Sequence, residues 1–279
     1  MVKTVLHVMR WLIMLAVVVI VLLPIVWMVF SSFRIHEEIF KYTTPGWHLF
    51  IPKRWTLQNY VDIFLDASRP FGRYMVNALF VASVVTAAGL WINSMAAFAF
   101  AKLRFPQKKT LLALFLSSLV IPYEVIMIPQ YMLIRDLGWI NTFQALIVPQ
   151  IVWVFGIFML VQFFADIPRD ILDAGKIDGA SWFRIYVRLV LPSGVPALIT
   201  LGLITFLNQW DAFLWPLIVI NDDKKQMIQV AISSFQSLRG ISWGKILAAT
   251  SISSVPIVVV FLFLQRYYVK GITMTGVKG

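Results

Sequence analysis

The chain contains no cysteine, which excludes disulfide bridges, thiolate metal sites and a cysteine nucleophile. Histidine is nearly as scarce. His7, His36 and His48 are the only ones present, and their spacing matches no metal-binding pattern. Charge is sparse as well, at 13% of residues against 60% hydrophobic, and the mean hydropathy is +0.83. So little charge cannot solvate the surface of a water-soluble globule, and the composition is that of an integral membrane protein. There is also no phosphate-binding loop of the form Gly-x-x-x-x-Gly-Lys-Ser/Thr. The nearest approach, GISWGKI from Gly240 to Ile246, has the wrong spacing and lacks the hydroxyl residue. Any nucleotide hydrolysis is therefore expected in another subunit. The chain shows no internal repeat, no low-complexity tract and no soluble domain of useful size.

Long apolar runs dominate what remains. A helix needs about 20 residues to cross a hydrocarbon core, and six stretches meet that length, near residues 11–33, 71–101, 110–131, 143–165, 194–220 and 246–265. The first follows Lys3 and Arg10 like a signal peptide, yet its apolar run is too long and no small-residue cleavage site follows, so it is expected to remain as a span. The net charge of +11 is not read as nucleic-acid binding, because basic residues cluster in short loops beside apolar runs. Lys102, Arg104, Lys108 and Lys109 crowd one tight turn. Arg169, Lys176, Arg184 and Arg188 occupy a second segment, and Arg266, Lys270 and Lys278 the end. That density predicts both termini on the cytoplasmic side.

The connection from 34 to 70 contains Pro45, Gly46, Pro52, Trp47 and Trp55 and is expected to form an ordered extracytoplasmic cap with interfacial aromatics. Gly138 and Asn141 in RDLGWINT are placed to end one helix and begin the next. The expected layout is a tip and first span at 1–33, the extracytoplasmic loop at 34–70, a five-span core at 71–267 and a cytoplasmic tail at 268–279.

The segment Asp166–Arg188 holds four acidic residues (Asp166, Asp170, Asp173, Asp178) and four basic ones (Arg169, Lys176, Arg184, Arg188). It cannot lie in lipid. A short helix is expected from Arg169 to Lys176, with Asp170 and Asp173 near its positive end. Gly179 then supplies a turn and Ser181 an N-cap for a second short helix. Ala174, Gly175, Gly179 and Ala180 offer a surface of backbone rather than bulk, which a partner groove can approach closely. Composition alone also allows an ordinary polar loop. Pro192 and Pro196 are expected to stop the loop and set the start of the fifth span.

Asp173, Ala174 and Gly175, then Asp178, Gly179 and Ala180, then Leu191 and Pro192 resemble the Glu-Ala-Ala loop of ABC-importer permeases. Asp173 stands where the pattern has Glu, and Gly175 where it has Ala. The runs IPYEVIMIPQYMLIRDLGWINTFQALIVP, FGIFMLVQFFADIP, NQWDAFLWPLIVIND and QRYYVKGITMTGVKG extend the likeness to the shorter subunit of the maltose-type carbohydrate permeases. The resemblance implies an all-α, six-helix type I (MetI-like) permease fold in a bacterial or archaeal cytoplasmic membrane, with 166–192 as the coupling loop. It implies a second permease subunit, two ATP-binding subunits that hold ATP and magnesium, and an extracytoplasmic solute-binding protein. On the same ground Asp173 to Gly175 and Asp178 to Ser181 would meet the ATPase, Lys270, Gly271, Lys278 and Gly279 of the tail would reach it too, and Gln236, Ser237, Leu238, Arg239 and Gly240 would meet the binding protein.

Charged residues within spans usually face a cavity or a partner. Glu124 lies between Pro122 and Pro129, and Asp211 lies beside Asn208, Gln209 and Trp210. With Phe213 and Trp215 they are the candidates for a translocation path, because flat apolar rings beside amides suit sugar hydroxyls and faces. The same residues are equally open to roles at helix ends, at a partner permease or as interfacial anchors. A secondary transporter or channel working without an ATPase is the competing reading, but it would call for inverted repeats or a dense ion relay. A membrane-embedded enzyme finds no convergent nucleophile and base.

Overall fold

The computed structural model describes residues 2–41, 46–66, 69–237 and 240–275. In chain order the helices are α1 (Val2–Ser31), α2 (Gln58–Leu65), α3 (Phe71–Lys102), α4 (Lys108–Ser117), α5 (Tyr123–Asp136), α6 (Phe143–Ile147), α7 (Val154–Ala165), α8 (Arg169–Ile177), α9 (Trp182–Ile185), α10 (Leu191–Ser193), α11 (Val195–Trp210), α12 (Leu214–Val219), α13 (Ile228–Ser233) and α14 (Trp243–Thr275). A hairpin of β1 (Gln236–Ser237) and β2 (Gly240–Ile241) lies between α13 and α14.

Among the described residues, four helical stretches, Thr4–Ser31, Phe71–Lys102, Phe143–Ala165 and Trp243–Gln265, are long and apolar enough to cross a membrane alone. Two bent pairs supply the other crossings: Lys108–Val120 with Tyr123–Asp136 at 101°, and Trp182–Ser193 with Val195–Trp210 at 80°. Counting each pair once gives six, the number expected, but the third and fifth spans are bent rather than straight, and the fourth is interrupted between Ile147 and Val154. The third breaks at Pro122, whose ring has no N–H to donate and which sits in an extended conformation ahead of α5. The fifth ends at Trp210 instead of running to 220, and after Asp211–Phe213 the chain restarts as α12. Its partner helix reaches back to Trp182 through a π-helical stretch at Tyr186–Val190, next to Pro192. Widened turns of this kind let a helix continue where a backbone donor is missing. The last helix also overruns its outline, continuing to Thr275, so most of the supposed tail is helical.

The chain divides into two compact units. The first holds 1–72 and 231–255. Here the apolar window of α1 is not buried at all, whereas the loop after it is tightly bound. Arg34 is 1% exposed, and its Nη2 donates to the carbonyls of His48 at 2.9 Å and Leu49 at 2.7 Å. The Asn59 amide donates to the carbonyls of Ser32 and Arg34. The described part of this connection is therefore held in a defined conformation, with Trp55 packed on Phe30 and Phe33.

The second unit holds 73–230 and 256–279. Ala78, Val81, Ala82 and Val85 of α3 are all at most 1% exposed and recur at helical spacing, giving the helix one buried face. Further along, Ala97 and Phe98 pack into a core with Leu160, Phe164, Leu172, Ile185, Tyr186 and Leu201. α3 is thus the central post of this unit. Gly138 and Asn141 both adopt left-handed conformations, and Thr142 caps α6 by accepting from the Ala145 amide. Asn141 also binds the loop after α12, its side-chain oxygen accepting from the amides of Asn221 and Asp222.

Candidate functional site

Among the described residues of the second unit, a cavity among interrupted spans and the polar segment after α7 both combine polar groups with accessible space. The first is a cavity of about 360 Å³, within the size range of small-ligand sites. Three interrupted spans meet at it. The break before α5 contributes Tyr123, the gap before α7 contributes Gln150, Val152 and Trp153, and the gap after α11 contributes Ala212 and Phe213. Asn208, Gln209, Thr205 and Trp215 complete much of the lining, with Val81 of α3. Non-helical backbone at membrane depth is tolerated where it lines such a space. The Gln150 Nε2 donates to the Tyr123 hydroxyl at 3.2 Å, so two of the breaks are bridged across the cavity. The Trp215 Nε1 donates to the Ala145 carbonyl at 2.9 Å, which fixes the indole.

The expected path residues separate here. Asn208, Gln209, Phe213 and Trp215 line the cavity; Glu124 and Asp211 are exposed and outside its lining. Asp211 accepts from Gln229 Nε2 at 3.1 Å. Trp210 is 1% exposed, stacked on Phe206 with centroids 6.2 Å apart and planes 11° from parallel, so its face is not open to a ligand. One helical residue of rotation separates it from Gln209. Tyr123, Gln150 and Trp153 were not anticipated. Their signal in the sequence is not charge but an amide beside Pro149 and a hydroxyl beside Pro122, since a proline next to a polar group in an apolar run marks a break with something to bond.

The second place is the polar segment after α7. α8 carries Asp170 in its first turn and Lys176 in its last, the arrangement that favours the helix dipole. Leu172, 3% exposed, anchors it on the core, while Asp173 and Ala174 are exposed. The helix ends by a Schellman motif: the Ala180 amide donates to the Gly175 carbonyl at 2.9 Å and the Gly179 amide to the Lys176 carbonyl at 3.0 Å. That motif needs a left-handed residue at its turn, and Gly179 has φ +73°. The Ser181 hydroxyl then accepts from the Arg184 amide at 3.2 Å, capping α9 as expected. Lys176 Nζ lies 4.1 Å from the Trp182 ring centroid, joining the two short helices by a cation–π contact.

Gly175 departs from expectation. A β-carbon there would lie 3.2 Å from Leu189 Cδ1 and 3.3 Å from Ile185 Cγ1, so this glycine faces inward and lets α8 close on the following helix. The outward surface has a feature not foreseen: Ile177 is 86% exposed, an apolar side chain at the tip of the segment beside Asp178 and Gly179. Of the other expected contacts, Gln236 pairs with Ile241 and Ser237 with Gly240 in the hairpin, while Leu238 and Arg239 lie outside the described residues. Lys270 and Gly271 fall on the last turns of α14, and Lys278 and Gly279 lie outside the described residues.

Among solved structures, a bacterial ABC transporter involved in import of the acidic polysaccharide alginate superposes with a TM-score of 0.81 at 18% identity, covering 95% of this chain and 97% of that one. The MetNI methionine ABC transporter in inward-facing conformations gives 0.56 at 16% identity over 71% and 94% of the two chains. These likenesses establish the fold. A trehalose/maltose transport system permease protein of Thermococcus litoralis is 32% identical over 265 residues, 94% of this chain and 93% of the relative. An arabinooligosaccharides transport system permease protein of Halalkalibacterium halodurans is 30% identical over 256 residues, 92% and 91% of the two. The family model for the binding-protein-dependent transport system inner membrane component matches residues 89–274, a stretch that contains both the cavity-lining breaks and the whole polar segment. This multi-pass membrane chain belongs to that family, the permease subunits of ABC importers.

Proposed function

We propose that the chain is one of two related permease subunits through which an importer, driven by two ATP-hydrolysing subunits, moves a sugar or oligosaccharide across a bacterial or archaeal cytoplasmic membrane. ATP and magnesium are held by those partners. The substrate arrives on an extracytoplasmic solute-binding protein. Two of the relatives are named for trehalose/maltose and arabinooligosaccharides, and a related alginate transporter is described in complex with a pentasaccharide-bound periplasmic protein. Both favour a carbohydrate.

The observation that carries the reading is the exposed tip of the polar segment. Ile177 is 86% exposed, and Phe183 and Trp182 of the same polar segment are 57% and 42% exposed, so the segment presents several large apolar side chains together with the small residues Ala174, Gly179 and Ala180, a combination that marks a protein–protein contact rather than a scattered surface residue. This is the form of a knob entering a cleft, with Asp173 and Asp178 offered to basic residues around it. Closure of the ATPase pair then displaces α8, and the membrane helices follow by alternating access. The cavity supplies amides, a phenol and indole faces for a hydroxyl-rich ligand.

The test is co-purification of this chain with the products of its neighbouring genes, followed by an ATPase assay of the eluate. Wild type should bring down an ATPase and a second permease. Ile177→Glu and Ala174→Trp, both at exposed positions, should lose the ATPase while retaining the second permease. Wild type that purifies alone and transports without ATP would overturn the proposal.

A further inference from the structure

We infer that α3 receives the displacement of the polar segment, because it grips that segment at both ends, through Lys102 at its start and Tyr186 at its finish. The inference rests on the coupling role proposed above and extends it to residues outside the loop.

Lys102 is the last residue of α3 and is 7% exposed. Its Nζ donates to the carbonyl of Ala165 at 3.0 Å and to that of Ile167 at 2.6 Å. These oxygens lie at and just beyond the C-terminus of α7, where a helix leaves acceptors unpaired and where a cation is favoured by the dipole. Eight residues earlier on the same helix, the Ser94 hydroxyl meets the Tyr186 hydroxyl at 2.7 Å in a buried contact. Tyr186 follows α9 directly and opens the π-helical stretch. The stretch from Ile167 to Tyr186, including α8, Gly179 and α9, is therefore tied to α3 by polar contacts at two points roughly 12 Å apart along its axis, with Leu172 and Ile185 packed beside Ala97 and Phe98 and ring contacts from Phe98 to Trp182 and from Trp91 to Phe183 adding to the grip.

The same helix continues to the cavity. Asn93 Nδ2 donates to the Ile151 carbonyl at 3.1 Å, and its Oδ1 accepts from the Trp153 amide at 3.1 Å. Those bonds hold the gap in the fourth span that places Gln150, Val152 and Trp153 on the cavity wall. α3 also contributes Val81 to that wall. Within one rigid helix, Lys102 and Ser94 hold the polar segment and Asn93 holds a cavity break. A local role would have Lys102 merely finish the end of α7. The mechanical role requires the end of α3 and the start of α8 to move as one body.

The full complex reconstituted in vesicles separates the two. Because the chain lacks cysteine, spin labels can be placed on it at Gln107→Cys and Asp170→Cys, beyond α3 and in the first turn of α8. With Lys102 or Lys102→Arg, the label separation should be the same without nucleotide and with ATP bound. With Lys102→Met it should split or broaden between those states, and substrate imported per ATP hydrolysed should fall about five-fold while the ATPase remains bound. Tyr186→Phe, which removes one hydroxyl, should lower that ratio about two-fold. Wild-type separations and ratios in both variants would overturn the inference. Should Lys102→Met fail to assemble, Tyr186→Phe decides alone, and a wild-type ratio there overturns it. Absence of any ATPase from the wild-type complex would instead overturn the functional reading on which the inference stands.

Discussion

Gly89 of α3 lies directly against the carbonyl oxygen of Ile151, so that a β-carbon at this position would sit 3.1 Å from that oxygen. One turn further on, Asn93 bonds the same carbonyl, and the two residues together seat α3 on the gap before α7. The oxygen belongs to backbone and cannot swing aside as a side chain can. Overpacking a well-filled contact costs about 1–3 kcal/mol and alanine regains about 1 kcal/mol of helix propensity over glycine, so Gly89→Ala should be destabilised by no more than about 1 kcal/mol and Gly89→Leu by roughly 3. Thermal unfolding of the purified complex in detergent would check this, and a Gly89→Leu variant as stable as wild type would show that the gap yields freely.

If the cavity holds substrate, its amides and phenol should matter to apparent affinity while the buried tryptophan should not. Gln150→Leu removes the bridge to Tyr123, and Asn208→Ala and Gln209→Ala each remove an amide from the lining. A lost hydrogen bond is worth about 1 kcal/mol, so each should raise the half-saturating substrate concentration about five-fold in vesicle uptake, with the ATPase still bound. Trp210→Ala should instead destabilise by about 3–5 kcal/mol, as truncation of a buried aromatic does, and reduce the amount of folded complex. Uptake with unchanged half-saturation in all three amide variants would remove the cavity from the path.

Gly179 allows conformation and surface to be told apart. Its φ of +73° is costly for most side chains by about 1–2 kcal/mol, but Asn visits this region readily. Gly179→Asn should preserve the Schellman turn, and Gly179→Ala should loosen it. ATPase activity stimulated by the loaded binding protein should then fall several-fold in the alanine variant and less in the asparagine variant. The reverse order would mean that the partner requires an empty surface at this position and tolerates the altered turn.

Much of this architecture was legible because bilayer physics writes itself into composition. Runs of apolar residues with basic turns between them locate the crossings, and the capping of α9 by Ser181 and the ending of α8 at Gly179 follow from local hydrogen-bond needs. The breaks were harder to see. Pro122 lies inside a continuous apolar stretch, and hydropathy does not distinguish a straight helix from one bent by 101°. Facing was harder still. Trp210 and Gln209 are neighbours in sequence, yet one is stacked in the core and the other lines the cavity, a distinction set by the rotation of α11 against its neighbours. In sequence Lys102 is one more basic residue of a tight turn; its capture of the Ala165 and Ile167 carbonyls depends on packing between segments more than sixty residues apart.

Gly175 gives the sharpest balance of opposing terms. It stands where the resembled motif has alanine, and within a helix alanine is favoured over glycine by about 1 kcal/mol. Against that, the new methyl carbon would lie 3.2 Å from Leu189 Cδ1 and 3.3 Å from Ile185 Cγ1, closer than ordinary contact. Leu189 Cδ1 is the end of a flexible side chain, able to shift by a few tenths of an ångström, whereas Ile185 Cγ1 sits next to the β-carbon of a β-branched residue that is fully buried and yields less. The two effects should nearly cancel, leaving Gly175→Ala within about 0.5 kcal/mol of wild type with ATPase coupling intact. Gly175→Leu cannot be absorbed this way and should push α8 away from the helix that follows, lowering import per ATP. Adding Leu189→Ala would open space opposite residue 175, so the double variant should recover part of the loss. Uptake and ATPase rates measured on the four variants in the same vesicles would test the cycle: recovery locates the defect in this contact, and no recovery would mean that residue 175 acts instead through the surface offered to the ATPase.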